Sequence, residues 1–185
     1  MDAEELLERY AQGERDFSGI KLERTKLRGA SLKGINFSHA RLSEVKLQGA
    51  NLTQAVLNST SFWLTDLSHA VMDYANLSEA SLCDCNLKGV SLEGVNLSHA
   101  MLKLLNLEDA NLRHANLKNS IIVEVSLDRS ILEEADISNA MLAETNLDDA
   151  NLRGAIVMDC DLSCTYKKNT IMPDGQVVSD PYYKP

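Results

Sequence analysis

The stretch NLRHANLKNSIIVEVSL, residues 111–127, has a large aliphatic residue at every fifth position: Leu112, Leu117, Ile122 and Leu127. An interval of five matches neither the 3.6-residue period of a helix nor the two-residue period of a strand. Ile121 and Val123 add two more apolar residues beside Ile122, at positions that are mostly polar elsewhere in the chain. The stretch therefore predicts a backbone that points one large side chain inward per five residues, with an additional apolar site on its outside.

The five-residue interval runs through most of the chain. At intervals of five from Phe17 to Leu162, all thirty positions are Leu, Phe, Ile, Met or Val, and no insertion interrupts the series. A second series begins at Ile20, ends at Cys160 and precedes the large residues by two positions; it is never charged and is most often Ala. The position between the two series is rich in Asn, Asp and Ser, and the two positions after the large residue are mostly polar or Gly.

This unit of five has a direct physical interpretation. One large and one small side chain per unit can fill a narrow interior. The Asn or Asp between them can hydrogen-bond nearby backbone and fix a turn, and Gly permits turn geometry in which a Cβ atom would clash. A single unit cannot bury its own apolar face, so the units are expected to coil and the coils to stack.

The repeat resembles the pentapeptide-repeat family, whose motif A(D/N)LXX appears here as ANLRH, ANLKN, ANLSE, ADISN and TNLDD. The resemblance covers residues 15–164. It implies an all-β fold, a right-handed quadrilateral parallel β-helix of about 7.5 coils with four pentapeptides in each. At about 4.8 Å per stacked coil, the rod would be roughly 35 Å long.

The two ends of the chain are predicted to cap this rod. Residues 1–14 should form an N-terminal capping α-helix, because Leu6, Leu7 and Tyr10 fall on one side of a helix over 3–12. Residues 165–185 are assigned to a C-terminal cap and tail, in which Ile171, Met172 and Val177 would cover the last coil. The IMPDG ending and the leading helix are similar to those of cyanobacterial pentapeptide-repeat proteins.

Composition and motifs favour a cytoplasmic protein without catalytic, cofactor-binding or metal-binding residues. The net charge of −9 argues against nucleic acid as a partner, and we expect no membrane partner because no apolar run is long enough for a signal peptide or a span. The cysteines are expected to be free thiols, with Cys85 and Cys160 pointing inward. The histidines should be dispersed over the surface, and no nucleophile or phosphate-loop motif is present. We therefore predict that the protein is not an enzyme and uses no cofactor.

Several large apolar residues occupy outward positions, and their spacings of twenty, forty and sixty place seven of them on one face. We interpret this apolar stripe as a partner-binding surface, with the residues Trp63, Leu64, Met101, Leu104, Ile121, Val123 and Met141. The alternative is that the C-terminal tail, which leaves the rod from the same face, folds back over the stripe.

Three functions follow from these patterns. The first is a non-enzymatic interaction or scaffold module that presents the stripe to another protein or to a second copy of itself in a homodimer; some family members regulate differentiation in heterocyst-forming cyanobacteria. The alternative is an acidic DNA mimic that binds DNA gyrase, as resemblance to family members linked to quinolone resistance implies. Over residues 108–164 twelve acidic residues outnumber four basic ones, whereas residues 15–107 are not acidic. The third is a structural rod without a specific partner.

Overall fold

A computed structural model describes residues 1–180 of the chain as one helix followed by a stack of short parallel strands. The helix α1 spans Ala3–Ala11. Seven strands then recur every twenty residues and form one parallel sheet in chain order. They are β1 Lys21–Glu23, β2 Arg41–Ser43, β3 Ser61–Trp63, β4 Ser81–Cys83, β5 Met101–Lys103, β6 Ile121–Val123 and β7 Met141–Ala143.

The rest of each coil stacks through single parallel bridges that also join residues twenty apart. Examples from the first coils are Lys26 with Lys46, Ser31 with Asn51, and Asn36 with Val56. Each coil therefore has four stacked sites at intervals of five, and the fold is a parallel β-solenoid of about seven coils, as the repeat predicts. We call these sites the sheet face (residues 21–24), the second face (26–29), the third face (31–34) and the fourth face (36–39), each with its equivalents every twenty residues.

The interior of the solenoid is formed by the two inward series. The large residues are buried along almost the whole rod, beginning with Phe17 and Phe37, whose rings meet edge to face. Inward Thr and Ser are tolerated because their hydroxyls find backbone acceptors: Thr60 donates to the carbonyl of Phe37 at 2.7 Å, and Thr65 donates to that of Leu42 at 3.0 Å. The interior is therefore an apolar core in which these hydroxyls are satisfied.

The corners of the coils use the polar positions of the repeat. The side-chain oxygen of Asn51 accepts from the backbone N–H of Thr53 at 3.0 Å, which is the expected turn. Asn76, Asn96 and Asn116 also form a ladder, since the amide of each later residue donates to the one in the coil before it at 3.1 Å. At Gly94 the backbone φ is +62°, close to that of non-glycine residues at equivalent corners such as His114 at +56°, so the conformation alone does not demand glycine. A Cβ atom at Gly94 would lie 2.6 Å from the ring of Tyr74, and packing therefore favours glycine at this corner.

The helix α1 caps the first coil. Asp2 begins it by accepting from the N–H of Glu5 at 2.9 Å. Leu6 is fully buried in the core, and the Tyr10 hydroxyl donates to the carbonyl of Lys33 at 2.8 Å. The prediction that Leu7 faces the rod is wrong, because its side chain is exposed; a helix this short buries a single line of residues against the end of a narrow rod.

The stacking continues past the end of the sequence repeat at 164. β8, Thr145–Asn146, pairs in parallel with β9, Thr165–Tyr166, on the second face. Ile171 bridges Asn151 on the third face. β10, Thr170–Ile171, then pairs antiparallel with β11, Val177–Val178.

The last coil is covered in part by this hairpin. Ile171 and Met172 are half-buried, as expected of capping residues, whereas Val177 is exposed and does not cap the rod. Residues 165–171 pair with the second and third faces rather than folding back over the sheet face. The remaining tail residues, 181–185, lie outside the described part of the chain. Within 1–180, no helix has the length and apolar character needed to cross a membrane.

Candidate interaction surface

All seven residues of the predicted stripe lie on the sheet face. Met101, Ile121 and Met141 are directly in register on β5, β6 and β7. Because side chains alternate along a strand, these three point outward beside the buried Leu102, Ile122 and Leu142. Their exposed fractions are 47%, 39% and 58%, so they form a solvent-exposed apolar column of three coils.

Two further residues widen this column. Val123 follows on β6, in register with Lys103 and Ala143, and is half-buried. Leu104 is exposed at the end of β5, where its N–H donates to the carbonyl of Val123 at 3.1 Å. The apolar patch is defined here as Met101, Leu104, Ile121, Val123 and Met141.

Trp63 and Leu64 lie on the same face but apart from the apolar patch. Both are exposed at the end of β3. The coil between them and the patch presents Ser81, Cys83 and Asp84, since β4 separates β3 from β5. The structure thus brings five of the seven residues together and leaves two as a separate apolar area.

An open groove connects the two areas along the corner between the sheet face and the second face. Its volume is about 450 Å³, and Leu64, Asp84, Leu104 and Glu124 line it in successive coils. Apolar and acidic side chains therefore alternate along the rod at the border of the apolar patch.

Carboxylates border the lower part of the patch, where lower means nearer the C-terminal end of the rod and upper means nearer its N-terminal end. Glu124 and Glu144 follow β6 and β7 directly, and Asp161 lies in the next coil below Met141; all three are exposed. Within residues 1–180 no salt bridge involves any of these carboxylates. Sequence reasoning missed this border, although the spacing of twenty between Glu124 and Glu144 was the signal that could have revealed it.

The second face carries a different charged cluster, in which most carboxylates are paired. Lys88 binds Glu108 at 2.7 Å, and Arg129 binds Asp109 at 2.8 Å. The hydrogen bond from Lys88 holds the pKa of Glu108 below its usual range, and the one from Arg129 does the same for the pKa of Asp109. Burial instead raises the pKa of Asp128.

The nucleophilic and metal-ligating side chains are dispersed. Cys85 is buried in the inward series as expected, and burial raises its pKa to about 11, so its thiol is unreactive at neutral pH. Cys160 is only half-buried, because the last coil is incompletely covered. Over residues 1–180 no group of three or more His, Cys, Asp or Glu side chains is arranged to hold a metal ion.

The similarity of the sequence to a known protein family agrees with the solenoid fold. The profile described as Pentapeptide repeats matches the chain in eight copies, over residues 16–54, 50–89, 91–129 and 120–157. The chain belongs to the pentapeptide-repeat family. No curated protein sequence is significantly similar to this pentapeptide-repeat protein.

Solved structures include proteins that are similar to this chain. A trypsin-treated variant of QnrB1, a plasmid-mediated fluoroquinolone resistance protein, is 18% identical, with a TM-score of 0.52 and 84% of each chain covered. HetL from the cyanobacterium Nostoc sp. strain PCC 7120, involved in heterocyst differentiation regulation, is 27% identical over 96% of this chain and 100% of its own, with a TM-score of 0.34. At these levels the likeness to QnrB1 establishes the fold alone.

Proposed function

We propose that this pentapeptide-repeat protein is a non-enzymatic interaction module that binds another protein through the apolar patch. The observation that carries the proposal is the contiguity of five apolar side chains on one flat sheet, four of them more than one-third exposed. Contiguous exposed apolar area is typical of interfaces, whereas singly scattered apolar residues are ordinary.

The backbone beneath the patch favours binding. Each residue of β5, β6 and β7 is fixed by pairing to the coils above or below, and the inward neighbours are buried. A partner that docks here orders a few side chains and no loop, which keeps the entropic cost of association low. Met, Ile and Leu side chains around a flat centre, with polar groups at the border, resemble the arrangement of a protein–protein interface.

The interior supports a non-enzymatic role. The axis of the lower coils contains an apolar channel of about 10 Å³ whose lining is leucine and isoleucine from Leu102 to Leu152. Such a channel offers a water molecule no polar partner and is too small for a substrate. The buried Cys85 thiol faces the same kind of environment, in which it acts as a small apolar residue.

Affinity capture from cell extract tests the proposal. The variant Leu104→Glu with Val123→Glu places two charges in the patch, and the matched control Val56→Glu with Val71→Glu places them at exposed apolar positions on the fourth and third faces. We expect a protein that the wild type and the control retain and that the patch variant loses. Identical capture by all three would refute the proposal.

Light scattering on the same three proteins separates a homodimer from a complex with another protein. A mass that falls from dimer to monomer only in the patch variant would identify a second copy as the partner. An unchanged monomer mass combined with loss of a captured protein would identify a different protein.

An acidic DNA mimic that binds DNA gyrase is the second candidate. The lower second face favours it, because Glu108, Asp109, Asp128, Asp148 and Asp149 lie within three successive coils. Two facts weigh against it: basic residues pair several of these carboxylates, and the upper coils are not acidic. A supercoiling assay with DNA gyrase tests it, and unchanged activity at micromolar protein would eliminate the mimic.

A further inference from the structure

We propose that the partner of the apolar patch is a cationic amphipathic helix, with apolar side chains on one stripe and Lys or Arg beside it. This inference rests on the proposed function and specifies the class of partner. Three features of the sheet face carry it: the carboxylates at the border of the patch, the alternating groove, and the spacing of the coils.

The border carboxylates set the charge of the partner. Glu124, Glu144 and Asp161 line the patch on its lower side, and no salt bridge within residues 1–180 involves them. Among the outward positions of β5–β7, the basic residue is Lys103, at the upper side. A partner that covers the apolar column therefore brings its own border residues against a net negative rim, where Lys and Arg are favoured and acidic residues are repelled.

The border carboxylates also disfavour a second copy of this chain as the partner. A two-fold contact centred on Ile121 would cover the patch best, because it would bury the same apolar residues of both copies. That contact would also place the Glu124 and Glu144 rims of the two copies around a shared apolar centre, with a single Lys103 from each copy to offset them. Like charges at the edge of a newly desolvated surface oppose association. An anionic membrane surface is disfavoured for the same reason.

The groove repeats this chemistry along the rod. Leu64, Asp84, Leu104 and Glu124 line it in successive coils, so apolar and acidic side chains alternate. A partner that lies along the groove meets an apolar site and then an acidic site in successive rows. A helix with apolar residues bordered by Lys or Arg satisfies both kinds of site at once.

The spacing of the rows favours a helix over an extended strand. Coils rise by about 4.8 Å, so Met101, Ile121 and Met141 span about 9.6 Å. A helix along the rod offers one side chain per turn every 5.4 Å, and over two intervals the mismatch is about 1.2 Å. The same-side residues of an extended strand are about 6.6 Å apart, and the mismatch grows to about 3.6 Å.

Two designed peptides test the inference with the full chain. Both are amphipathic helices with the same leucine stripe; one carries Lys at the positions beside the stripe and the other carries Glu there. Binding to the wild type is measured by calorimetry, and the contact site is mapped by amide chemical shifts. We expect the Lys peptide to bind at least about tenfold more tightly than the Glu peptide, with shifts confined to the sheet face.

Two charge variants separate the rim from general attraction to an acidic protein. Glu124→Gln with Glu144→Gln should weaken binding of the Lys peptide by roughly threefold to tenfold. Glu93→Gln with Glu134→Gln removes the same charge from the third face. This control variant should change the affinity by less than about twofold, because salt screens the effect of a distant surface charge. Equal weakening by the two variants would overturn the inference, because the attraction would then come from net charge alone.

A neutral patch variant, Ile121→Ser with Met141→Ser, distinguishes failure of this inference from failure of the proposed function. If the Glu peptide binds as tightly as the Lys peptide and this variant abolishes both, the patch is an interface but its partner is not cationic. If the variant leaves both affinities unchanged, the patch is no interface and both proposals fail. A wild-type dimer in sedimentation equilibrium that the variant dissociates would overturn the inference in favour of a second copy.

Discussion

Two adjacent isoleucines offer a sharp test of the inward and outward series. Ile122 is 2% exposed and Ile121 is 39% exposed, although both lie on β6. Truncation of each to alanine removes the same atoms from opposite sides of one strand. The pair therefore measures how much of the stability comes from the interior of the coil, with backbone and sequence context held almost constant.

The structure gives the size of the difference. Ile122→Ala removes three carbon atoms from the core, which at about 0.8 kcal/mol per buried methylene is about 2.4 kcal/mol before any cavity term. The rigid coils above and below limit collapse, so a total of about 2–5 kcal/mol is expected. Ile121→Ala loses little buried area and should cost less than about 1 kcal/mol.

Urea unfolding followed by circular dichroism measures both variants against the wild type. With a slope of about 2 kcal/mol per molar urea, Ile122→Ala should lower the midpoint by roughly 1–2.5 M, and Ile121→Ala by less than about 0.5 M. Partner binding should show the reverse order, because only Ile121 belongs to the apolar patch. Equal midpoint losses, or a larger loss for Ile121→Ala, would refute the assignment of the inward series.

Three further predictions concern the corners, the thiols and the charged cluster. Gly94→Ala should destabilise by about 1 kcal/mol more than Gly34→Ala in urea melts: both corners have positive φ, but only at Gly94 must a ring, that of Tyr74, swing away. A thiol reagent at pH 8 should label the exposed Cys164 within minutes, and Cys85, whose pKa burial raises to about 11, only on unfolding; equal rates would contradict the assigned burial. Arg129→Ala should lower the free energy of unfolding at pH 6, because in the folded state Arg129 holds the pKa of Asp109 below its unfolded value. The stabilisation from this ion pair is fully present above the unfolded pKa of Asp109 and is lost as the pH falls through its folded pKa. The difference in urea midpoint between variant and wild type should therefore shrink as the pH falls below about 3.9, the ordinary pKa of an aspartate, and a difference that does not shrink would exclude this ion pair as its cause.

The repeat predicts most of the fold because its two inward series indicate, for each position, whether the side chain points into or out of the coil. A large residue every five positions with a small residue two before it indicates a narrow coil, and the structure buries both series except near the two ends of the rod, where Cys160, for example, is half-buried. The helix α1 was predictable from its amphipathic pattern, but which of Leu6 and Leu7 packs depends on the tilt of the helix against the first coil.

The solenoid extends further towards the C-terminus than the repeat predicts. The series of large apolar residues ends before Lys167, and this break predicts a separate cap after residue 164. The small series nevertheless continues, and the Thr170 hydroxyl donates to the carbonyl of Leu147 at 2.7 Å, as Thr60 does to that of Phe37 higher in the rod. Lys167 fits in the large position because its ammonium group donates to the carbonyls of Leu162 and Thr165 at 2.9 and 3.0 Å.

The candidate surface was predictable in part. Outward apolar residues at multiples of twenty identify the sheet face, because period twenty follows from four units per coil. The interruption at Asp84 and the rim of Glu124 and Glu144 require each coil to be read against its neighbours, since a list of apolar positions alone omits the residues between them.

Footprinting of the captured complex tests whether the apolar patch is the partner-binding surface. The methionines form a built-in set of reporters: Met101 and Met141 belong to the apolar patch, Met158 is 62% exposed on the fourth face, and Met72 is fully buried. Carbene labelling of the free protein should modify the first three and spare Met72. If the partner binds the apolar patch, Met101 and Met141 should be protected in the complex and Met158 should be labelled as before. Unchanged labelling of Met101 and Met141 in the complex, with protection at Met158 instead, would place the interface on another face.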